Sequence, residues 1–129
     1  EVRREIEALI ESPEETKADM YYGLNLRCLL LKTYLLQLDE LDLSAWDEVD
    51  EKLRGLLRSF RPFIERRSIP QYSRIRFENF RKGIQRLYNL RFPPKGNPPE
   101  TREELVQDFS NSSNLPDKGW FIAQAEAGR

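Results

Sequence analysis

Histidine is absent from this chain of 129 residues, and cysteine occurs once, at Cys28. Without histidine the protein lacks the commonest general base and the commonest metal ligand at neutral pH. With one cysteine it also lacks the ligands of a zinc or haem site and cannot form an internal disulfide. Cys28 lies in an apolar stretch, where a small buried side chain is a simpler interpretation than a reactive thiol. We therefore expect no enzymatic activity and no cofactor.

Glycine-rich loops and strand patterns are missing as well. The six glycines are scattered and form no phosphate-binding loop. No segment alternates apolar and polar residues over more than a few positions, so the pattern predicts no strand. There is no recognisable secretory leader, and Arg27 and Lys32 interrupt the longest apolar stretch, which argues against a membrane span of ~20 residues. We expect an all-α, cytoplasmic protein with no membrane partner.

Adjacent carboxylates are the remaining candidates for catalysis. They occur at Glu14 with Glu15 and at Glu103 with Glu104. Neighbouring residues on a helix do not face each other, and both pairs fit helix capping. An enzyme that uses carboxylates alone is therefore the least favoured of the functional hypotheses.

The chain is organised around Asp19 to Leu38, the one stretch whose apolar residues surround a helix on every side. At 100° per residue, Leu24, Leu31 and Leu35 lie on one side. Two further sides carry Leu26, Leu30 and Tyr34, and Leu29 with Leu36. A helix that is apolar all round is typical of a buried central position. We predict that neighbouring helices cover all three sides.

Two cations within this stretch, Arg27 and Lys32, need partners if the helix is buried. Acids of a flanking helix, such as Glu48 or Glu51, and backbone carbonyls at a helix end are candidates. Alternatively, the two cations line a groove that receives a carboxylate from a partner. Structural pairing is the simpler interpretation, because long side chains can reach a helix margin.

Apolar residues at helical spacing predict further helices on both sides of the central one. A short amphipathic helix covers Glu1 to Glu11, and Ser12 to Glu15 has the residues of a new helix start. Ser44 is the expected N-cap of a third helix that runs through Trp46. In that helix Pro62 predicts either a kink about one turn earlier or a stop close by.

A fourth helix follows Pro70 and runs to about Arg91. The predicted inner face of this helix consists of Ile75, Phe77, Phe80, Ile84, Leu87 and Tyr88. Four prolines and a glycine exclude regular structure in the next stretch. Thr101 then fits a capping box for a short helix, and residues from Asn114 can cap a last one. Residues 1–92 thus form a helical-hairpin array, 93–100 a proline-rich linker, and 101–129 short C-terminal helices that pack back as a cap, in one domain overall.

Charge is segregated along the chain, although the net charge is only −1. Residues 1–53 carry −8, residues 54–91 carry +9 and residues 92–129 carry −2. The candidate partner-binding cations of the basic segment are Arg54, Arg58, Arg61, Arg74, Arg81, Lys82 and Arg86. Such a surface suits an acidic peptide, or nucleic acid bound through residues 54–91. Pairing with acidic helices or simple solvation is the favoured interpretation.

Three stretches of the chain resemble a known group of proteins. Leu26 to Tyr34, Leu56 to Arg66 and Asn79 to Leu90 look like the C-terminal portion of large uncharacterised bacterial proteins built of tetratricopeptide-like helix pairs. The resemblance covers about Tyr21 to Leu90 and, more loosely, Leu115 to Phe121. It implies an α-solenoid end and a role in protein interaction, and it transfers no activity and no ligand-binding residue.

The residues and the resemblance together favour a non-enzymatic interaction or scaffold module. Its expected partner is a protein or peptide, acidic in character, or another segment of a parent protein. The chain begins with Glu1 directly on a helical pattern, which predicts that it is a piece of a longer polypeptide. Nucleic-acid binding is the alternative.

Overall fold

The computed structural model describes residues 2–11, 20–40, 42–66, 68–96 and 100–127. Within these residues every regular element is a helix, which confirms the all-α prediction. The helices are α1 (Val2–Glu11), α2 (Met20–Leu38), α3 (Leu43–Glu65), α4 (Gln71–Arg91), α5 (Arg102–Asn111) and α6 (Lys118–Ala127). The chain divides into two compact units, an N-terminal unit of residues 1–70 and a C-terminal unit of residues 71–129. The helix start predicted at Ser12 to Glu15 lies outside the described residues.

Helix α2 is the middle element of the N-terminal unit and packs against both α1 and α3. Its turn into α3 is short, and the indole Nε1 of Trp46 donates a hydrogen bond to the carbonyl oxygen of Leu38 at 3.2 Å. The core of this unit contains Ile6, Leu24, Leu30, Leu31, Tyr34, Leu35, Leu38, Val49, Leu53, Leu57, Phe60 and Ile64. Two of the three apolar sides of α2 are thus buried, as the sequence predicts.

The prediction for the third side of α2 is wrong. Leu29 is 47% exposed and Leu36 is 40% exposed, and Tyr22 on the same side is 42% exposed. Apolar spacing shows what a helix can bury, but burial needs a neighbouring helix. Within the described part of the N-terminal unit, α1 and α3 are the helices that pack on α2, and neither covers this side.

Helix α3 begins two residues earlier than expected, because its N-cap is Asp42 and not Ser44. The Asp42 carboxylate accepts hydrogen bonds from the backbone N–H groups of Ser44 and Ala45 and from the Ser44 hydroxyl. These bonds, with the Ser44 hydroxyl contributing most, lower the pKa of Asp42. Pro62 does not end the helix at once: α3 continues to Glu65, within one turn of the proline.

In the C-terminal unit, α5 and α6 pack together and both contact α4. Phe121 of α6 is fully buried at their junction, with its ring centroid 5.1 Å from that of Phe80 and 5.2 Å from that of Phe109. Gly83 of α4 makes room for this ring, since a Cβ there would lie 2.7 Å from Phe121 Cε1. The short helices therefore lie on α4 through one aromatic cluster.

Caps define the short helices of the C-terminal unit. The Thr101 hydroxyl accepts a hydrogen bond from the Glu104 N–H at 3.2 Å and donates one to the Glu104 carboxylate at 2.8 Å, so the predicted cap is confirmed. Asp117, just before α6, has φ of 55°. Its carbonyl oxygen accepts the first helical hydrogen bond, from Phe121 at 3.1 Å. Left-handed backbone at an aspartate is tolerated in such turns.

The predicted inner face of α4 is largely confirmed, with one error. Phe77, Phe80, Ile84 and Leu87 are buried, whereas Ile75 is 39% exposed. Tyr88, the remaining member, is half-buried. Leu90 and Gly83 complete the buried face instead.

Replacing Gly83 with alanine should lower the free energy of unfolding by about 1–3 kcal/mol, because the new methyl group would collide with the buried Phe121 ring. Gly55→Ala is the matched control. Among the described residues, a Cβ at that position meets Arg58 Nη2 alone, at 3.8 Å. Alanine should therefore raise the stability there, by up to about 1 kcal/mol. Urea unfolding followed by circular dichroism measures both, and equal effects would contradict this packing.

Candidate functional site

The seven cations of the basic segment are divided between the two units. Arg54, Arg58 and Arg61 lie on α3. The other four lie on α4, and they are Arg74, Arg81, Lys82 and Arg86. The charge segregation seen along the sequence is therefore distributed over two bodies.

Two of the α3 arginines pair with acids one turn away. Arg54 Nε lies 3.1 Å from Oδ2 of Asp50, whose side chain is only 7% exposed. Arg61 Nε lies 3.6 Å from Glu65 Oε1, and both of these side chains are exposed. In the first pair, Arg54 provides a charged partner for a nearly buried carboxylate. The second pair is exposed to solvent and contributes little to the stability of the fold.

Two of the α4 arginines are held more tightly. Arg81 forms a double hydrogen bond with the Glu78 carboxylate, at 2.8 and 2.7 Å. Arg86 donates two hydrogen bonds to Glu100, at 2.6 and 3.1 Å, and a third to Asp108 at 2.8 Å. Hydrogen bonding to Glu100 is the largest cause of the raised pKa of Arg86. These arginines stabilise the C-terminal unit internally.

Arg58 and Lys82 are exposed, and within the described residues no carboxylate pairs with either. Arg74 is half-buried. Four of the seven candidate cations are therefore paired with acids inside their own unit, and Arg58 and Lys82 are exposed cations.

Arg27 and Lys32 were expected to pair with acids or to line a groove. The Arg27 guanidinium donates a hydrogen bond to the Gly23 carbonyl oxygen at 3.0 Å and lies 3.5 Å from the centroid of the Phe63 ring. A backbone carbonyl and an aromatic face thus hold this half-buried cation between α2 and α3. Glu48, one predicted partner, lies 3.6 Å from Lys52. Lys32 is half-buried.

A groove of about 370 Å³ opens between the three helices of the N-terminal unit. Its lining consists of Glu7 and Ile10 from α1, Leu30 and Tyr34 from α2, and Lys52, Gly55, Leu56 and Ser59 from α3. The groove exists because α3 presents small residues at positions 55 and 59, which are neighbours on one face of a helix.

One end of the groove is closed by a polar network around Glu7. The Tyr34 hydroxyl donates a hydrogen bond to Glu7 Oε2 at 2.5 Å, and Lys52 Nζ lies 3.5 Å from the same oxygen. Burial acts to raise the pKa of Glu7, but the hydrogen bond from Tyr34 and the charge of Lys52 outweigh it, so the pKa is lowered. This network joins α1 to both neighbouring helices.

Away from Glu7, the groove is lined by small and apolar residues. The Arg58 guanidinium lies beside Gly55, with Nη2 3.8 Å from the position of a Cβ on that glycine. The Ser59 hydroxyl donates a hydrogen bond to the Leu56 carbonyl oxygen. This part of the groove thus combines an open apolar floor with one cation at its rim.

The exposed side of α2 is a second surface feature. Tyr22, Leu29 and Leu36 are spaced by seven residues and form a single line along the helix, which we call the α2 stripe. The sequence placed Leu29 and Leu36 together, but as core. Heptad spacing does not distinguish them from core residues, because the buried Leu24, Leu31 and Leu38 are spaced in the same way. The groove had a weak signal, the small residues at positions 55 and 59.

No protein-family model matches the chain, and no curated protein or solved structure matches it either. In the part of the chain that the structure describes, no helix is both long and apolar enough to cross a membrane. The same residues contain no group of three or more potential metal-ligating side chains.

Arg86→Met should destabilise the protein by about 1–2 kcal/mol, because it leaves the partly buried Glu100 without its partner and releases Asp108. Arg61→Met is the control, since it removes an exposed pair and should change stability by less than about 0.5 kcal/mol. Urea unfolding compares the two variants. A cost for Arg61→Met as large as that for Arg86→Met would contradict the assigned roles.

Glu7→Gln should destabilise the protein at pH 7 by about 1 kcal/mol, because it removes a charged acceptor from Tyr34 and Lys52. A lowered folded pKa contributes stability above the ordinary value of 4.5, and that contribution is lost as the pH falls through the folded pKa. The stability difference between wild type and variant should therefore shrink on acidification. Unfolding curves at several pH values test this, and a constant difference would exclude the charge as its cause.

Proposed function

We propose that this chain is a non-enzymatic protein-interaction module and that it binds an amphipathic helix on the α2 stripe. The observation that supports this most directly is the exposure of Tyr22, Leu29 and Leu36, at 42, 47 and 40%. Three large apolar side chains in one line on the surface of a helix form an exposed apolar patch, and such patches are typical of binding sites. A partner would remove them from water.

The spacing of the stripe favours a helical partner. Seven residues separate successive members, so the line runs nearly parallel to the α2 axis for about 21 Å at ~1.5 Å per residue. A second helix with apolar residues at heptad spacing can pack its side chains between these three. An extended peptide or a compact ligand would cover the line less completely.

The partner segment belongs to another protein or to a further part of a parent polypeptide. In a helical-repeat array, each helix pair covers the apolar face of the next pair. The resemblance to tetratricopeptide-like repeats is consistent with this role, and we extend the proposal to an α-solenoid end. The stripe would then be the face on which a neighbouring pair or a ligand helix lies.

Nucleic-acid binding is less well supported than protein binding. Four of the seven cations considered are bonded to acids of their own unit, which reduces the charge available for phosphates. Arg58 and Lys82 are the exposed exceptions. Their combined charge is small for a phosphate-binding surface.

Site-directed photo-crosslinking tests the proposal. A benzoylphenylalanine at Asn25, an exposed position beside the stripe, should crosslink a partner from a cell lysate. The double substitution Leu29→Gln/Leu36→Gln should abolish that crosslink. The crosslinked peptide, identified by mass spectrometry, should contain apolar residues at heptad spacing.

The matched control is Arg58→Gln/Lys82→Gln, which removes exposed cations and leaves the stripe intact. Circular dichroism verifies that both double variants are folded. A crosslink that survives in the stripe variant would contradict the proposal. Retention of RNA or DNA that falls steeply with salt, and that is lost in the control variant, would support nucleic-acid binding instead.

A further inference from the structure

The groove of the N-terminal unit is a space that the described side chains of this unit leave unfilled. Its volume of about 370 Å³ lies within the range of ligand-binding pockets, ~300–1,000 Å³. Ile10, Leu30 and Leu56 provide its apolar surface. At Gly55 a Cβ would meet Arg58 Nη2 alone among the described residues, so the protein has room for additional atoms there.

The charged groups of the groove differ in whether they already have partners. Glu7 accepts a hydrogen bond from Tyr34, and Lys52 lies within 3.5 and 3.6 Å of two carboxylates, those of Glu7 and Glu48. This end is electrostatically satisfied. Arg58, whose guanidinium lies beside the lining residue Gly55, has no carboxylate partner among the described residues. Among these residues, the charge beside the groove that lacks an opposite charge is therefore positive.

We propose that the groove is a second docking site, which takes a large apolar side chain from a protein segment that carries a carboxylate next to it. The apolar side chain lies over Ile10, Leu30 and Leu56. The adjacent aspartate or glutamate pairs with the Arg58 guanidinium at the rim. This acidic apolar motif is the occupant that both the shape and the charge of the groove fit.

The groove and the α2 stripe occupy different sides of α2. Leu30 and Tyr34 face the groove, and at 100° per residue they lie about 100° or more around the helix from Leu29. Docking in the groove therefore does not depend on the function proposed for the stripe, and separate substitutions distinguish the two sites.

Two fluorescein-labelled synthetic helical peptides provide the probe. They share one leucine pair spaced by four residues and differ only in the flanking positions, which are glutamate in one and lysine in the other. Fluorescence anisotropy should show binding of the glutamate peptide, weaker at higher salt. The lysine peptide should bind at least about five-fold more weakly, as expected for loss of one ion pair and gain of a repulsion.

Three single variants locate the binding site. Gly55→Leu fills the groove and should weaken binding of the glutamate peptide by about ten-fold or more. Arg58→Gln should weaken it by about two- to five-fold and remove its salt dependence. Arg61→Gln, which changes an exposed arginine that does not line the groove, should leave binding unchanged.

The outcomes separate this proposal from its alternatives. Shifts of the Gly55 and Ser59 amide signals in ¹H–¹⁵N spectra should accompany binding. Equal or tighter binding of the lysine peptide, binding unaffected by Gly55→Leu in a folded variant, or no binding of either peptide up to about 1 mM would each overturn it. Loss of binding in Leu29→Gln/Leu36→Gln with no loss in Gly55→Leu would assign the peptide to the stripe and likewise overturn the groove site.

Discussion

Helices of ten residues are too short to be stable alone in water, and α1, α5 and α6 all have this length. Each depends on a polar side chain of a longer helix as well as on apolar burial. Tyr34 of α2 binds Glu7 of α1. Arg86 of α4 binds Asp108 of α5, and Arg91 of α4 donates a hydrogen bond to the Gln124 side chain of α6 at 2.6 Å. Helices α2 and α4 thus determine where the short ones lie.

Sequence patterns predicted the helices and several of their ends, because periodicity and capping depend on residues that are close along the chain. The patterns were less successful at predicting burial, because the burial of a side chain depends on which helix lies beside it. Leu29 and Leu36 have the spacing of core residues, yet no described helix covers them. Asp42 displaced Ser44 as the cap because its carboxylate can accept three hydrogen bonds at once. Ile75 fits the inner face of α4 by spacing but is exposed.

The candidate sites were predictable only in part for a similar reason. Composition indicated a basic segment correctly. It could not show that Arg81 and Arg86 already form hydrogen bonds with acids of their own unit. Arg27 was recognised as unusual, whereas its aromatic partner Phe63 required the packing of α2 on α3. The groove is defined by a missing side chain at Gly55, opposite residues that come from two other helices. The small residues at positions 55 and 59 are a local signal, but they do not show which residues lie opposite them.

The order of helix packing has a consequence for folding kinetics. Among the described residues, most helix pairs in close contact are consecutive along the chain, and the packing of α6 on α4 and the Glu7–Lys52 pair between α1 and α3 are exceptions. Low contact order of this kind favours fast folding, because most contacts close short loops. The packing of the Phe121 ring on Phe80 closes a longer loop than the other contacts described above for the C-terminal unit. That contact is therefore entropically the most demanding one to form, and it is the step expected to limit how quickly this unit reaches its native packing.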